Sequence, residues 1–144
     1  MSKEREPART PRYSGGCLCG ALRYQGEGPA LYAGYCFCAD CQKVSGSGFV
    51  PFMGVAGNAV RFSGPSQAYV SKSIRGGDAT RNFCPTCSAL VFGGVRGQSD
   101  SYTIYAGSLD DTSVFQPTIA IFVRNRPAWV PLPPGLKVFE AMPP

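Results

Sequence analysis

The chain has 144 residues, 44% of them apolar and 16% charged, which is enough for one domain with a buried core. Its 18 glycines and 13 prolines disfavour long helices and predict short strands joined by tight turns. The net charge is +5, but the basic residues outside the N-terminal tail are scattered, which argues against nucleic-acid binding. No apolar run has the length of a membrane span or a signal peptide, so we expect a cytoplasmic protein with no membrane partner.

In chain order, the first feature is a polar, charged segment with two prolines at 1–13, which predicts a flexible N-terminal arm before a single domain at 14–144. Short apolar or alternating runs, separated by Gly, Pro, Asn and Ser, then predict nine strands. These strands are predicted at 21–26, 31–36, 49–55, 59–62, 67–72, 79–84, 90–95, 101–107 and 118–124. One short helix is predicted at 39–45. The pattern therefore predicts an all-β fold, with a proline-rich but apolar C-terminal segment at 126–144 that covers part of the core.

The seven cysteines carry most of the chemical information, because none is isolated and the chain contains no histidine. A reducing compartment and an odd number of cysteines favour metal binding over disulfides. Short spacings such as Cys-x-x-Cys let two thiolates converge on one metal ion. The three groups are Cys17 and Cys19, then Cys36, Cys38 and Cys41, then Cys84 and Cys87.

The spacing allows more than one partition of these cysteines. A closed structural zinc needs four ligands, which the first and last pairs supply while linking distant strands. The middle triplet is then a three-thiolate site with an open fourth position, as in a catalytic zinc. Alternatively, Cys17 and Cys19 join Cys36 and Cys38, which leaves Cys41 with the last pair. An iron–sulfur cluster on the triplet and metal-free buried thiols are further alternatives.

Five segments resemble a known family in order and spacing: "GGCLCGALRY", "CFCADCQKVSGSGFVPF", "RNFCPTCSALVF", "YAGSLDD" and "PTIAIFVRNRPAWVPLPPGLKVFE". The family is that of the glutathione-dependent formaldehyde-activating enzymes, and the resemblance covers about residues 14–141. It implies an all-β fold of several small twisted antiparallel sheets around a structural zinc. It also implies two zinc ions per chain: a structural one on Cys17, Cys19, Cys84 and Cys87, and an exchangeable one on Cys36, Cys38 and Cys41.

The activity that this resemblance implies is condensation of glutathione with formaldehyde, formally a carbon–sulfur lyase reaction in reverse. Zinc on three thiolates carries a charge of −1 and is a weak Lewis acid, so a soft thiol suits its fourth position better than water does. We therefore predict a zinc-dependent carbon–sulfur lyase acting on a small thiol such as glutathione and on formaldehyde or a related aldehyde, with Cys36, Cys38 and Cys41 as catalytic residues. The alternative is a non-enzymatic, zinc-stabilised binding module.

The chain departs from the family's pattern at three positions. Family members often have histidine where this chain has Phe37 and Ala120, and glycine where it has Ser88. None of these positions is a zinc ligand in the implied assignment, so the departures bear on the choice of substrate.

Three charged residues are candidates for a role beside the metal. Without histidine, proton transfer falls to water, a tyrosine or a carboxylate such as Asp40. Lys43 and Arg81 are candidates to offset the anionic site or to meet a substrate carboxylate. For each of the three, plain exposure to solvent is the alternative interpretation.

Overall fold

The computed structural model describes residues 11–144, and the first ten residues of the predicted N-terminal arm lie outside this range. The described chain folds into eleven strands and one α-helix, α1, at Ala39–Ser45. The strands are β1 Arg12–Gly16, β2 Arg23–Glu27, β3 Tyr32–Cys36, β4 Val50–Ala56, β5 Val60–Ser63, β6 Gln67–Lys72, β7 Asp78–Phe83, β8 Leu90–Gly93, β9 Ser101–Tyr105, β10 Ile119–Ile121 and β11 Lys137–Val138.

The predicted all-β class is confirmed, and the one helix has the predicted bounds. Each of the nine predicted strands overlaps an observed one, whereas β1 and β11 were not predicted. β1 contains Gly15 and Gly16, and these glycines weaken the strand pattern in the sequence. The fold needs glycine at position 15, because a side chain there would overlap the hydroxyl of Tyr24. β1 begins at Arg12, and the side chain of Tyr13 is buried.

The strands form two sheets. One sheet has three antiparallel strands in the order β1-β2-β5, and the other has eight in the order β11-β10-β3-β4-β9-β8-β7-β6. The sheets are antiparallel as expected, except that β10 pairs parallel with both β3 and β11. The long connection at 106–118 makes the parallel pairing possible, because it carries the chain across to the opposite end of the sheet.

The main core lies between the two sheets. Phe62 of the smaller sheet stacks on Phe92 of the larger one with ring centroids 3.9 Å apart, and Tyr102 meets Phe62 edge-on at 5.0 Å. The buried side chain of Asn82 is hydrogen-bonded, since its amide donates to the carbonyl oxygens of Phe92 and Gly94. One face of the larger sheet thus packs in the core at its strands β7, β8 and β9.

The segment Gly-Ser-Leu-Asp at 107–110 joins the two sheets. The Ser108 hydroxyl lies 2.8 Å from that of Tyr24, and the Leu109 side chain is buried. The Asp110 carboxylate accepts from the Arg23 guanidinium at 2.8 Å and from the Ser14 hydroxyl at 2.8 Å. The bond from Arg23, followed by that from Ser14, lowers the pKa of Asp110 to about 2. This segment therefore attaches the end of β9 in the larger sheet to β1 and β2 of the smaller sheet.

Side chains alternate between the two faces of a strand, so those that do not face the core point to the opposite face of the eight-stranded sheet. This opposite face is the floor of a cleft. The strand register aligns one row of residues across this floor. The row runs Arg81, Gly93, Thr103, Gly54 and Tyr32. The Tyr32 ring lies directly against Gly54, where a Cβ atom would overlap it. Among residues 11–144, no helix is long and apolar enough to cross a membrane.

Candidate metal centres and the cleft at the cysteine triplet

Four cysteines meet where the two sheets come together. Cys17 and Cys19 follow β1 of the smaller sheet, whereas Cys84 and Cys87 follow β7 of the larger sheet. Their four sulfur atoms lie within 4.8 Å of one another. This group therefore bridges both sheets.

The geometry of the four-cysteine group fits a tetrahedral metal ion. The Cys19 Sγ atom lies 3.6 Å from that of Cys17 and 3.7 Å from that of Cys84. Four sulfurs placed tetrahedrally about 2.3 Å from one zinc would be about 3.8 Å apart. The backbone N–H of Leu22 donates to Cys17 Sγ at 3.2 Å, and that of Thr86 donates to Cys84 Sγ at 3.4 Å. Such bonds favour thiolates, so this group could hold a metal ion and is compatible with zinc.

The other three cysteines meet at the junction of β3 and α1. Cys36 ends β3, Cys38 is the N-cap residue of α1, and Cys41 lies in its first turn. Their sulfur atoms also lie within 4.8 Å of one another, and the backbone N–H of Cys41 donates to Cys38 Sγ at 3.3 Å. Gln42 holds the helix in place by donating to the carbonyl oxygens of Phe37 and Asn125.

The acid–base behaviour of the triplet also fits a cation. Hydrogen bonds from Cys36 and then Cys41 lower the pKa of Cys38 to about 2. The bond to Cys38 raises the pKa of Cys36 to about 11, and Cys36 and Cys38 together raise that of Cys41. These opposed directions mean that a thiolate at one of the three cysteines disfavours thiolates at the other two. A divalent cation would allow all three to be thiolates, so this group too could hold a metal ion such as zinc.

The structure thus groups Cys17 and Cys19 with Cys84 and Cys87, and not with Cys36 and Cys38 as in the alternative partition. No carboxylate of the described residues joins the triplet as a fourth member of the cluster. This distinction matters for chemistry, because three protein ligands leave a position for a substrate.

The triplet opens into the cleft, which has a volume of about 680 Å³. The walls beside the sulfurs are apolar and include Phe52, Ile121 and Phe122. The turn between β6 and β7 and the C-terminal residues Met142 and Pro143 form the rim. A second hollow of about 620 Å³ lies against the three-stranded sheet, but no cysteine lines it. The cleft at the triplet is therefore the candidate functional site.

The positions where the family often has histidine face away from this cleft. Phe37 and Ala120 are fully buried and belong to one apolar cluster with Val130. Strand and helix geometry place Cys36 and Cys38 on the cleft side and Phe37 between them on the core side. At both positions this chain thus has an apolar residue where the family often has histidine, and the two apolar residues pack in the same cluster. The wall of the cleft is unaffected.

The charged candidates differ in their placement. Asp40 and Arg81 both line the cleft, whereas Lys43 is exposed on the last turn of α1 and does not. Sequence reasoning missed Tyr105 and Arg75, which also line the cleft. The alternation of Ser101, Thr103 and Tyr105 along β9 is a signal that could have revealed Tyr105. Arg75 lies in a turn, where no sequence pattern indicates the direction of a side chain.

The fold and the two cysteine groups define a small all-β protein with two potential metal sites, one of four cysteines at the junction of the two sheets and one of three cysteines that line a cleft. The sequence profile described as "Glutathione-dependent formaldehyde-activating enzyme" matches residues 12–125, and the chain belongs to this family. The family name ties its members to enzymatic chemistry of glutathione and formaldehyde.

Among solved structures, a crystal structure of a Rhodobacter sphaeroides protein is similar, with a TM-score of 0.50 and 20% sequence identity. The match covers 67% of this chain and 87% of that chain, and at this identity the likeness concerns the fold alone. The search of curated proteins gave no match.

Proposed function

We propose that the protein is a zinc-dependent carbon–sulfur lyase that forms or cleaves adducts of a small thiol, glutathione in the first instance, with formaldehyde or a related aldehyde. The observation that carries this proposal is the difference between the cysteine groups in ligand number and surroundings. The triplet brings only three sulfurs together and lines a cleft of about 680 Å³, whereas the other group brings four sulfurs together at the junction of the two sheets. The proposal assigns Cys17, Cys19, Cys84 and Cys87 to a structural zinc and Cys36, Cys38 and Cys41 to an exchangeable one.

Zinc bound to the triplet would supply a position at which a substrate thiol is held as its thiolate near neutral pH. In the forward reaction, the substrate sulfur forms a bond to the carbonyl carbon while the π-electron pair of the carbonyl moves to its oxygen. That oxygen then takes one proton, and the thiol releases one, so atoms and charge balance. The apolar walls at Phe52 and Ile121 reduce competition from water for the reacting atoms.

The cleft also contains groups that can carry protons. Burial raises the pKa of Tyr105 to about 12, so its phenol remains protonated at neutral pH and can donate a hydrogen bond. Asp40 supplies a carboxylate on the same cleft. The chain thus offers polar partners for the carbonyl oxygen without a histidine.

The direct experiment measures the exchange between free glutathione and S-hydroxymethylglutathione by NMR, against the spontaneous reaction of the same mixture. We expect the zinc-loaded protein to accelerate this exchange and Cys38→Ser to abolish the acceleration. Metal analysis of both proteins serves as the control and should give two zinc ions in the wild type and one in the variant. A wild type that holds two zinc ions but neither binds glutathione nor accelerates the exchange would contradict the proposal and favour a binding module.

A further inference from the structure

A half-buried cation on the cleft floor has no carboxylate partner among the residues that the structure describes. Arg81 lies on β7, lines the cleft, and donates to the Ser71 hydroxyl at 3.2 Å. Among residues 11–144, the ion pairs are Arg12–Glu27, Arg23–Asp110 and Lys72–Asp78, and none involves Arg81. Arginine in a partly desolvated position is usually paired with an anion. The guanidinium therefore has capacity for a carboxylate that residues 11–144 do not supply.

A second hydrogen-bond donor lies beside this cation. Strand register places Arg81 opposite Gly93, and the Tyr105 hydroxyl oxygen lies 3.3 Å from where a Cβ atom on Gly93 would be. The Tyr105 hydroxyl thus reaches over Gly93 towards Arg81. Burial raises the pKa of this phenol, and the neighbouring Arg81 charge only partly opposes that effect, so the phenol remains a neutral donor.

The size and charge of this corner suit a carboxylate. A guanidinium binds a carboxylate with two parallel hydrogen bonds, and a phenol adds a third donor to the same oxygen atoms. Gly93 has no side chain to fill the space above it. At the mouth of the cleft, Arg75 adds a second positive charge, whereas the nearby Asp78 is already bonded to Lys72 at 3.2 Å.

We infer that Arg81 and Tyr105 form a subsite for a carboxylate group of the substrate thiol, with the Ser71 hydroxyl holding the Arg81 side chain in place. This inference rests on the proposed function, because the thiol sulfur must occupy the triplet at the same time. Tyr105 lies on β9, two strands from Cys36 on β3, or about 10 Å at ordinary strand spacing. The thiol must therefore carry its carboxylate several bonds away from its sulfur, as a small peptide thiol does.

The test compares the affinity of the zinc-loaded protein for glutathione and for glutathione diethyl ester, which keeps the thiol but has no carboxylate. Calorimetry should show that the wild type binds glutathione more tightly than the diester. Arg81→Gln should lose about ten- to a hundredfold in affinity for glutathione and almost none for the diester, since a hydrogen-bonded charge is removed from only one of the two ligands. Arg81→Lys should lose less affinity than Arg81→Gln, because lysine keeps the positive charge, although it cannot make the two parallel hydrogen bonds of a guanidinium.

Tyr105→Phe provides a gentler variant, because it removes one donor and keeps the ring; its loss should also be confined to glutathione. Arg61→Gln is the matched control, since Arg61 is an exposed arginine on the smaller sheet, outside the cleft. Zinc content and thermal unfolding should be alike in all variants. Equal wild-type affinity for glutathione and diester, or equal losses for both ligands in Arg81→Gln, would overturn the subsite while leaving the proposed function standing. A wild type that binds neither ligand would overturn both.

Discussion

The two cysteine groups contain the same type of side chain but are built from different parts of the chain. In the four-cysteine group, the sulfurs come from loops of two different sheets, and Cys17 and Cys84 are buried. In the triplet, all three sulfurs come from one turn of chain between β3 and α1, and the group borders a cleft. A metal in the first group would hold distant parts of the chain together, whereas a metal in the second would close no long loop. Ligand number and sequence separation, rather than residue type, therefore distinguish the two groups.

The largest expected effect comes from Cys84→Ser. Cys84 is completely buried and receives backbone N–H bonds from Thr86 and Cys87. Binding of a structural zinc is worth about 10–16 kcal/mol in small zinc-binding peptides, which is comparable with the whole stability of a domain. We expect the variant to lack a cooperative thermal transition by circular dichroism. A variant that unfolds within a few degrees of the wild type would remove the distinction between the two groups.

Cys38→Ser should separate the groups from the other side. Serine is a favourable N-cap residue, so α1 keeps its cap while the triplet loses a sulfur. We expect a folded protein with a transition temperature close to that of the wild type, one zinc ion instead of two, and no catalysed exchange. Zinc analysis and calorimetric melting on the same sample check this. Loss of both zinc ions would mean that the triplet also supports the fold.

Phe37→His tests whether the position between two triplet cysteines belongs to the core or to the site. Phe37 is fully buried with Ala120 and Val130, so a histidine there leaves a polar ring without a partner and removes packing. We expect a loss of about 3 kcal/mol in the free energy of unfolding. Zinc stoichiometry and glutathione affinity should not change, because the side chain faces away from the cleft. Phe37→Leu is the apolar control and should lose less stability. A changed zinc content would place this position in the metal centre.

The smallest expected effect is a gain in stability at the four-cysteine group. Ser88 follows Cys87 with a φ of 63°, in the left-handed region that disfavours residues with a Cβ atom. Ser88→Gly should therefore raise the free energy of unfolding by about 1 kcal/mol. Ser88→Ala keeps the Cβ atom and should give no gain. Denaturant titrations of the two variants against the wild type measure the difference, and equal effects of glycine and alanine would contradict this account.

The sequence was most informative where the pattern is local. The helix at 39–45 follows from its flanking Cys38 and Gly46, because Gly46 adopts the left-handed conformation that ends α1. The family's glycine after the last cysteine is explained in the same way by the backbone at Ser88. Turn chemistry and short cysteine spacings therefore carry over directly from sequence to structure.

The cleft was less accessible to sequence reasoning, because it depends on pairings between distant strands. Arg81 was a candidate from its charge alone, but its position beside Tyr105 depends on β8 lying between β7 and β9. Likewise, the parallel pairing of β10 with β3 joins residues that are far apart in the chain and brings Ile121 opposite Cys36. The location in the cytoplasm and the lack of nucleic-acid and membrane partners stay predictions.

The two-faced sheet has a consequence for how such an enzyme can diversify. Along β4 and β9, alternate residues belong to different surfaces: Met53 and Ile104 pack in the core, whereas Phe52 and Tyr105 line the cleft. Substrate preference can therefore be retuned by changing every second residue of these strands, while the intervening positions preserve the scaffold. A library restricted to the cleft-facing positions other than Gly54, where a Cβ atom would overlap Tyr32, would vary the cleft and leave the core-facing residues unchanged.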